Sequence, residues 1–329
     1  MLERIRSKEC AAAHVLFLVL TCQLFYSLAN GADKIRLAVP DVGGQFITFP
    51  LAQSRGFLQQ EGVDAEIILI RGNAALAAVV AGDVDYTVGI PQGVRGALIG
   101  LPLKIVACFE PSSSLMLLTV SRVKSVGELK GKTIAVGAVG GAPTRIARAI
   151  LKHFNVNPDK DINFISVGAA QARMALMRQG LADAAMVPPP FDFEGKKLGY
   201  NVVAKTYEVL SFPQSGLTLH AKRLREKPDE IKRMIKAGIK ANGYIRANRE
   251  GTIKFLMQWQ RGNGEIAAVT YESIWRVYNP DGNLPMDGFG LVVQDTKELL
   301  DLKRDVPFSE LVDLSALREA QAELGLKPK

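Results

Sequence analysis

Two glycine pairs carry the clearest chemistry in this sequence. Val42-Gly43-Gly44 and Val139-Gly140-Gly141 each follow a short apolar run and precede a stretch of helical character, starting near Ile47 and Pro143. A strand that ends in glycines and opens a helix presents free N–H groups and the positive end of a helix dipole. That suits an oxyanion such as a sulfonate or a carboxylate. Gly44, Gly140 and Gly141 would let a ligand approach the backbone, Thr48 and Thr144 would add hydroxyl donors, and Arg145 would grip an acid through two parallel hydrogen bonds. Phe46 and Phe191 would supply an apolar floor, beside Gln45. Asn73, Pro91 and Gln92 follow the next two strands of the first half, and Pro189 and Asp192 follow a strand of the second, so all are read as ligand-binding. Ser112 either bonds the ligand or belongs to a flexible Ser112-Ser113-Ser114 hinge. Glu110 and Asp192, if they face the same space, would attract an amine. The plainer alternative stands beside each of these: tight turns for the glycines, caps for the threonines, core packing for the phenylalanines.

Nucleophilic and metal chemistry find little support. His153 falls late in a helix, His220 lies beyond the second half, and Cys108 near the end of a strand reads as a small buried hydrophobe. There is no Gly-x-Ser-x-Gly elbow, no phosphate-binding loop, and no Cys/His cluster with metal-ligand spacing. No catalytic residue, cofactor or metal is expected.

The chain has 329 residues, of which 48% are hydrophobic and 22% charged, enough to bury two cores. A net charge of +8 is scattered rather than blocked, with no basic run interleaved with aromatics, so nucleic acid is not an expected partner. Arg4, Arg6 and Lys8 precede an apolar run from Ala11 to Leu28, and small residues follow at Ala29, Gly31 and Ala32. This is the order of a secretory signal over residues 1–31, cleaved after Ala29 or Gly31. A retained anchor is the alternative, and Val19-Leu20-Thr21-Cys22 is only a loose lipobox because of Thr21. Cleavage would remove Cys10 and Cys22 and leave Cys108 alone.

These residues need elements to position them. Ile35–Val39, Asp64–Ile70, Asp85–Val88 and Lys104–Phe109 read as strands, with a helix from about Ile47 to Gln60 and another capped by Asn73 and ending at Gly82. From Thr133 the pattern begins again: strands at Ile134–Val136, Asp161–Val167 and Ala184–Val187, with helices running to His153 and over Ala169–Gln179. A shift of 97 or 98 residues lays the halves on each other, Val42-Gly43-Gly44 on Val139-Gly140-Gly141, Gly82 on Gly180, Asp85 on Asp183 and Pro91 on Pro189. Strands alternating with helices imply parallel α/β architecture. Ser211–Leu219 reads as a strand leaving the second half. Beyond it, Pro228–Asn248 carries Ile231, Ile235 and Ile239 at helical spacing, and further helices are expected near Thr252–Gln260 and Glu265–Tyr278.

Pro50-Leu51-Ala52, Arg55-Gly56-Phe57, Glu61-Gly62-Val63, Ala81-Gly82-Asp83-Val84-Asp85, Gly100-Leu101-Pro102-Leu103, Leu129-Lys130-Gly131-Lys132 and Gly180-Leu181-Ala182-Asp183-Ala184-Ala185 occur in order. Over residues 34–215 this set resembles the substrate-binding proteins of nitrate-, sulfonate- and taurine-type ABC transporters, a group that includes thiamine-precursor-binding relatives. The resemblance implies a bilobal periplasmic-binding-protein fold, type II-like, with two α/β lobes around a cleft. Residues 33–112 and 216–329 would form the first lobe and 113–215 the second, joined by crossings at Pro111–Thr119 and Leu210–Leu217. It implies an extracytoplasmic, periplasmic receptor that closes on a small anionic or amino-acidic solute and delivers it, as a monomer, to an inner-membrane ABC permease. An enzyme resembling the thiamine-pyrimidine synthases, or an exported ligand-sensing subunit, is the alternative. Pro40-Asp41 and Pro188-Pro189-Pro190-Phe191-Asp192 match no single branch, so the solute stays open.

Overall fold

The computed structural model describes residues 32–138 and 141–327. The secretion signal read at residues 1–31 and the ligand residue Gly140 lie outside the described residues.

The first half builds β1 (Asp33–Val39), α1 (Thr48–Ser54), β2 (Val63–Leu69), α2 (Gly72–Ala81), β3 (Tyr86–Gly89), α3 (Ile90–Leu98) and β4 (Leu103–Glu110). Then follow β5 (Met116–Thr119), β6 (Lys132–Val136), α4 (Ala142–His153), β7 (Ile162–Ser166), α5 (Ala170–Arg178), β8 (Ala184–Val187), α6 (Phe191–Lys197), β9 (Asn201–Lys205) and β10 (Ser215–His220). The remaining longer helices are α7 (Pro228–Ala247), α8 (Arg249–Gln260), α9 (Gly264–Ile274), α10 (Met286–Leu299) and α11 (Ser315–Glu323).

The strands form two five-stranded sheets, ordered β2-β1-β3-β10-β4 and β7-β6-β8-β5-β9. In each, two parallel pairings come first, then one antiparallel strand, then an outer strand parallel to the first three. The antiparallel member is supplied across the junction: β10 returns from the second half into the first sheet, and β5 leaves the first half for the second sheet. The repeat in the sequence is therefore a repeat of topology. Its Gly-x-x-Asp element has a mechanical reason. Gly82 and Gly180 take left-handed backbone at φ +81° and +72° as the helix ends. Three residues on, a carboxylate of Asp85 accepts from the Arg36 N–H at 2.7 Å, and one of Asp183 accepts from the Thr133 N–H at 3.1 Å. Each Asp thus locks the start of its strand to the neighbouring strand.

β1 shows why the sheet is buried on both sides. Ile35, Leu37 and Val39 join the core beneath α1 and α7, while Ala38 joins the core on the other face. α7 approaches the first sheet closely because Gly238 has no side chain; a Cβ there would stand 2.5 Å from the Phe109 ring. Phe109 in turn meets Phe49 of α1 edge-on at 5.2 Å.

Several boundaries differ from the sequence expectation. The helix expected over Ile47–Gln60 breaks after Ser54, where Gly56 turns at φ +72° before a short helix at Phe57–Gln60. α2 begins at Gly72 with Arg71 in the cap position, so Asn73 is inside the helix and caps nothing. The crossings are shorter than expected, because Met116–Thr119 and Ser215–Leu217 are already strand. The two crossing segments bond to each other. Ser112 donates to the Leu210 carbonyl at 2.9 Å, Ser211 and the Phe212 N–H donate to the Pro111 carbonyl at 2.6 and 3.1 Å, and the Gln214 N–H donates to the Glu110 carbonyl at 3.0 Å.

Candidate functional site

The carboxyl edges of β1, β3 and β4 and those of β6, β7 and β8 are where loops and helix starts collect in a doubly wound sheet. A cavity of about 180 Å³ lies between them. Asp41, Gly43, Gly44 and Gln45 after β1 form one wall, and Pro188 and Pro189 after β8 form the other. Ser114 of the first crossing, Gln260 of α8, and Thr270 and Ile274 of α9 complete it. Asp41 shapes the first wall by accepting the Gly43 N–H at 2.6 Å, and Gln260 donates to the Val42 carbonyl at 3.3 Å. Gly44 must be glycine here: a Cβ would stand 2.9 Å from both Thr270 and Ile274. Its carbonyl accepts from the Tyr278 hydroxyl.

Of the residues proposed from sequence, Gly44, Gln45 and Pro189 line this cavity. Gly141 starts α4, its N–H donating to the Ala138 carbonyl at 2.8 Å and its own carbonyl accepting from Thr144 and Arg145, so its N–H is already engaged. Gln92, half-buried in the first turn of α3, folds its side chain back over Gly89, and Pro91 beside it is buried.

The others go elsewhere, each for a visible reason. Thr48 is buried and donates to Asn242 of α7 at 2.9 Å, tying α1 to α7. Thr144 donates to the Ala138 carbonyl at 3.0 Å, closing its own loop. Arg145 turns out of the cleft to Asp295 of α10 at 2.9 Å, with Phe212 of the second crossing under its guanidinium. Asn73 sits in an outer groove between α2 and α3. Ser112 lies on the first crossing and donates to the Leu210 carbonyl of the second. Phe46 and Phe191 are half-buried against the first and second cores respectively. Asp192 is buried in a separate 310 Å³ pocket between α6 and α9, where one oxygen accepts from Ser273 at 3.2 Å. The anion clamp expected around Thr48, Thr144 and Arg145 is therefore not formed.

Two titratable groups lack a counter-charge among the described residues. Glu110, the last residue of β4, is wholly buried and neither carboxylate oxygen has a hydrogen-bond partner among the described residues. Burial raises its carboxyl well above the usual range, the Asp41 charge raises it further, and the Tyr278 hydroxyl opposes them. Arg173, in the first turn of α5, is 4% exposed; its Nη1 reaches the Gly168 carbonyl at 3.5 Å and its Nε has no partner among the described residues. Burial depresses its pKa. Sequence reading missed Arg173 because an arginine in an amphipathic helix is ordinary. It missed Gln260 and Thr270 because helical periodicity says nothing about which cleft a distant helix will border. Cys108 is buried with its thiol pushed up by burial, so it is no nucleophile.

The model of the family described as "NMT1/THI5 like" matches residues 44–251. The chain belongs to the NMT1/THI5-like family. Among its relatives, YtlA of Bacillus subtilis (strain 168), a candidate binding protein, is 20% identical over 312 residues, covering 88% of this chain and 90% of YtlA. Among solved structures, the periplasmic aliphatic sulphonate-binding protein SsuA of Escherichia coli matches with TM-score 0.68 and 19% identity, over 84% of this chain and 91% of that one. The desulfurization enzyme DSZB matches with TM-score 0.64 and 13% identity, over 89% and 99%. This NMT1/THI5-like chain thus has the bilobal periplasmic-binding-protein fold, a fold that also carries an enzyme.

Proposed function

We propose that this NMT1/THI5-like protein is the extracytoplasmic solute receptor of an ABC importer. It captures a small acidic or amino-acidic organic solute of the sulfonate, nitrate and taurine class between two closing lobes. One observation supports the reading: a small cavity is walled by loops at the carboxyl edges of both sheets, and among the described residues paired crossing segments and helices packed across the gap join the two lobes. Such a geometry buries a ligand by rotating one lobe on the other, and the ligand favours closure only through contacts better made in the closed form. The leader-like residues 1–31 support export, where an inner-membrane permease would be the partner.

Thermal-shift screening of the purified protein against sulfonates, nitrate, carboxylates, amino acids and pyrimidine precursors tests this. A ligand that binds only the folded form raises the melting temperature, by about 2.7 kcal/mol of added stability at a hundredfold excess over Kd. Small-angle scattering should then show a smaller radius of gyration with that ligand. No shift with any compound, or a compound consumed rather than bound, overturns the receptor reading.

A further inference from the structure

α9 stands between two cavities. Thr270 and Ile274 face the one at the carboxyl edges of the sheets, while Val269 and Ser273 face the 310 Å³ pocket that α9 shares with α6. Asp192, in the first turn of α6, lines this second pocket and is 6% exposed. The Ser273 hydroxyl donates to its Oδ2 at 3.2 Å, and its Oδ1 has no hydrogen-bond partner among the described residues. Phe193, Tyr207 and Trp275 bring three aromatic rings to the same space. Three basic side chains line it too, and none of them answers the carboxylate. Lys205 is held by Glu208 at 2.9 Å, and Arg276 lies over the Trp275 ring at 5.1 Å. Lys196, exposed one helical turn beyond Asp192, makes no ion pair among the described residues.

We infer that this pocket is a second ligand site, separate from the solute cavity, and that it takes an aromatic compound carrying a basic nitrogen. The nitrogen supplies the donor that the Asp192 Oδ1 lacks, and the ring packs among Phe193, Tyr207 and Trp275. A carboxylate oxygen buried without a donor is costly, and a partner brought from outside removes that cost. Aromatic walls around a few placed polar groups are the usual form of a small-molecule site. Ring faces attract cations, as the protein's own Lys197 shows over Phe193 at 4.2 Å, so the rings favour an ammonium over an uncharged head. The solute cavity has no aromatic side chain among its described lining residues, so the two pockets suit different molecular bodies. Occupancy of this site is independent of the solute that the receptor reading concerns.

Fluorescence reads this pocket selectively. The chain has two tryptophans, Trp259 and Trp275, so the purified protein carrying Trp259→Phe reports from Trp275 alone. Titrated into it, phenethylamine should change the Trp275 emission saturably, and calorimetry should return the same Kd. Phenethyl alcohol, hydrocinnamate and ethylamine should each bind roughly tenfold or more weakly, since each lacks the charged donor or the ring. Asp192→Asn in that background should weaken phenethylamine by about ten- to a hundredfold, the usual loss for a charged hydrogen bond. Free of ligand it should melt no lower than the parent, because an unpartnered buried carboxylate is removed. A lower melting temperature with unchanged binding would instead make Asp192 structural. Lys196→Met, which removes a rim cation and leaves Asp192 in place, should tighten phenethylamine. Absence of binding, equal binding of hydrocinnamate, weaker binding in Lys196→Met, or calorimetric binding that leaves the Trp275 emission unchanged overturns the site. Each of these outcomes leaves the receptor reading as it stands.

Discussion

Asn242 joins three parts of the first lobe with one side chain. Its oxygen accepts from Thr48 of α1, and its nitrogen donates to the carbonyls of Phe109 on β4 at 2.9 Å and Asn279 beyond α9 at 2.7 Å. Asn242→Ala leaves the Asn279 carbonyl and the Thr48 hydroxyl without this partner, while the Phe109 carbonyl keeps the Asn279 N–H at 3.0 Å, and should cost about 2–4 kcal/mol in denaturant unfolding. Thr48→Ala should cost less, since Asn242 keeps its two donor bonds. Glu110 makes the opposite case. Its carboxyl is raised in the folded state, so the folded chain holds the proton more tightly than the unfolded one. Stability from this group is then greatest below the ordinary value of 4.5 and falls as pH rises towards the displaced one. The titratable groups acting at this spot are Asp41, Tyr278 and Cys108, and the latter two are themselves raised by burial. Unfolding free energies of the parent should therefore drop relative to those of Glu110→Gln as pH rises from 4.5. Parallel curves over that range would mean that the buried carboxyl costs nothing.

At the scale of elements, α10 is the part that reaches between lobes. It packs on α3 beside the first sheet, and its Asp295 takes Arg145 from α4 of the second. Asp295 is half-buried, and burial raises its carboxyl while Arg145 lowers it. Arg145→Met strands that carboxylate in a partly dry site and should destabilise by about 1–3 kcal/mol, between the values for exposed and buried pairs. The double variant with Asp295→Asn should recover most of the loss. A thermal melt of both variants decides it; an unrecovered double variant would mean that packing on Phe212, not charge, holds the helix. The same pair shows what sequence could and could not reveal. That Arg145 opens a helix after a glycine loop was legible from Gly141 and Pro143. Its direction was not, because the acid that claims it lies 150 residues away on a helix with no motif. Gly82, Asp85, Gly180 and Asp183 were legible because their demands are local: a left-handed turn and a carboxylate three residues later. Asp41, Gln260 and Thr270 were not, since only the assembled lobes bring them together.

For the whole molecule, the insertion of β10 between β3 and β4 imposes an order in time. β1 to β4 are synthesised first, yet β3 and β4 are not neighbours in the finished sheet; residues 215–220 must arrive to fill the space between them. The second sheet, from Met116 to Lys205, needs no strand from outside that span. The lobe begun second is therefore the first able to finish. At about 5–20 residues per second, the first lobe waits on the order of 5–20 s for its missing strand. A fragment of residues 113–209 should accordingly melt cooperatively on its own by circular dichroism, and a fragment of residues 32–112 should not. During that wait β3 and β4 each present an unpaired edge, and a premature pairing of the two would shut β10 out for good.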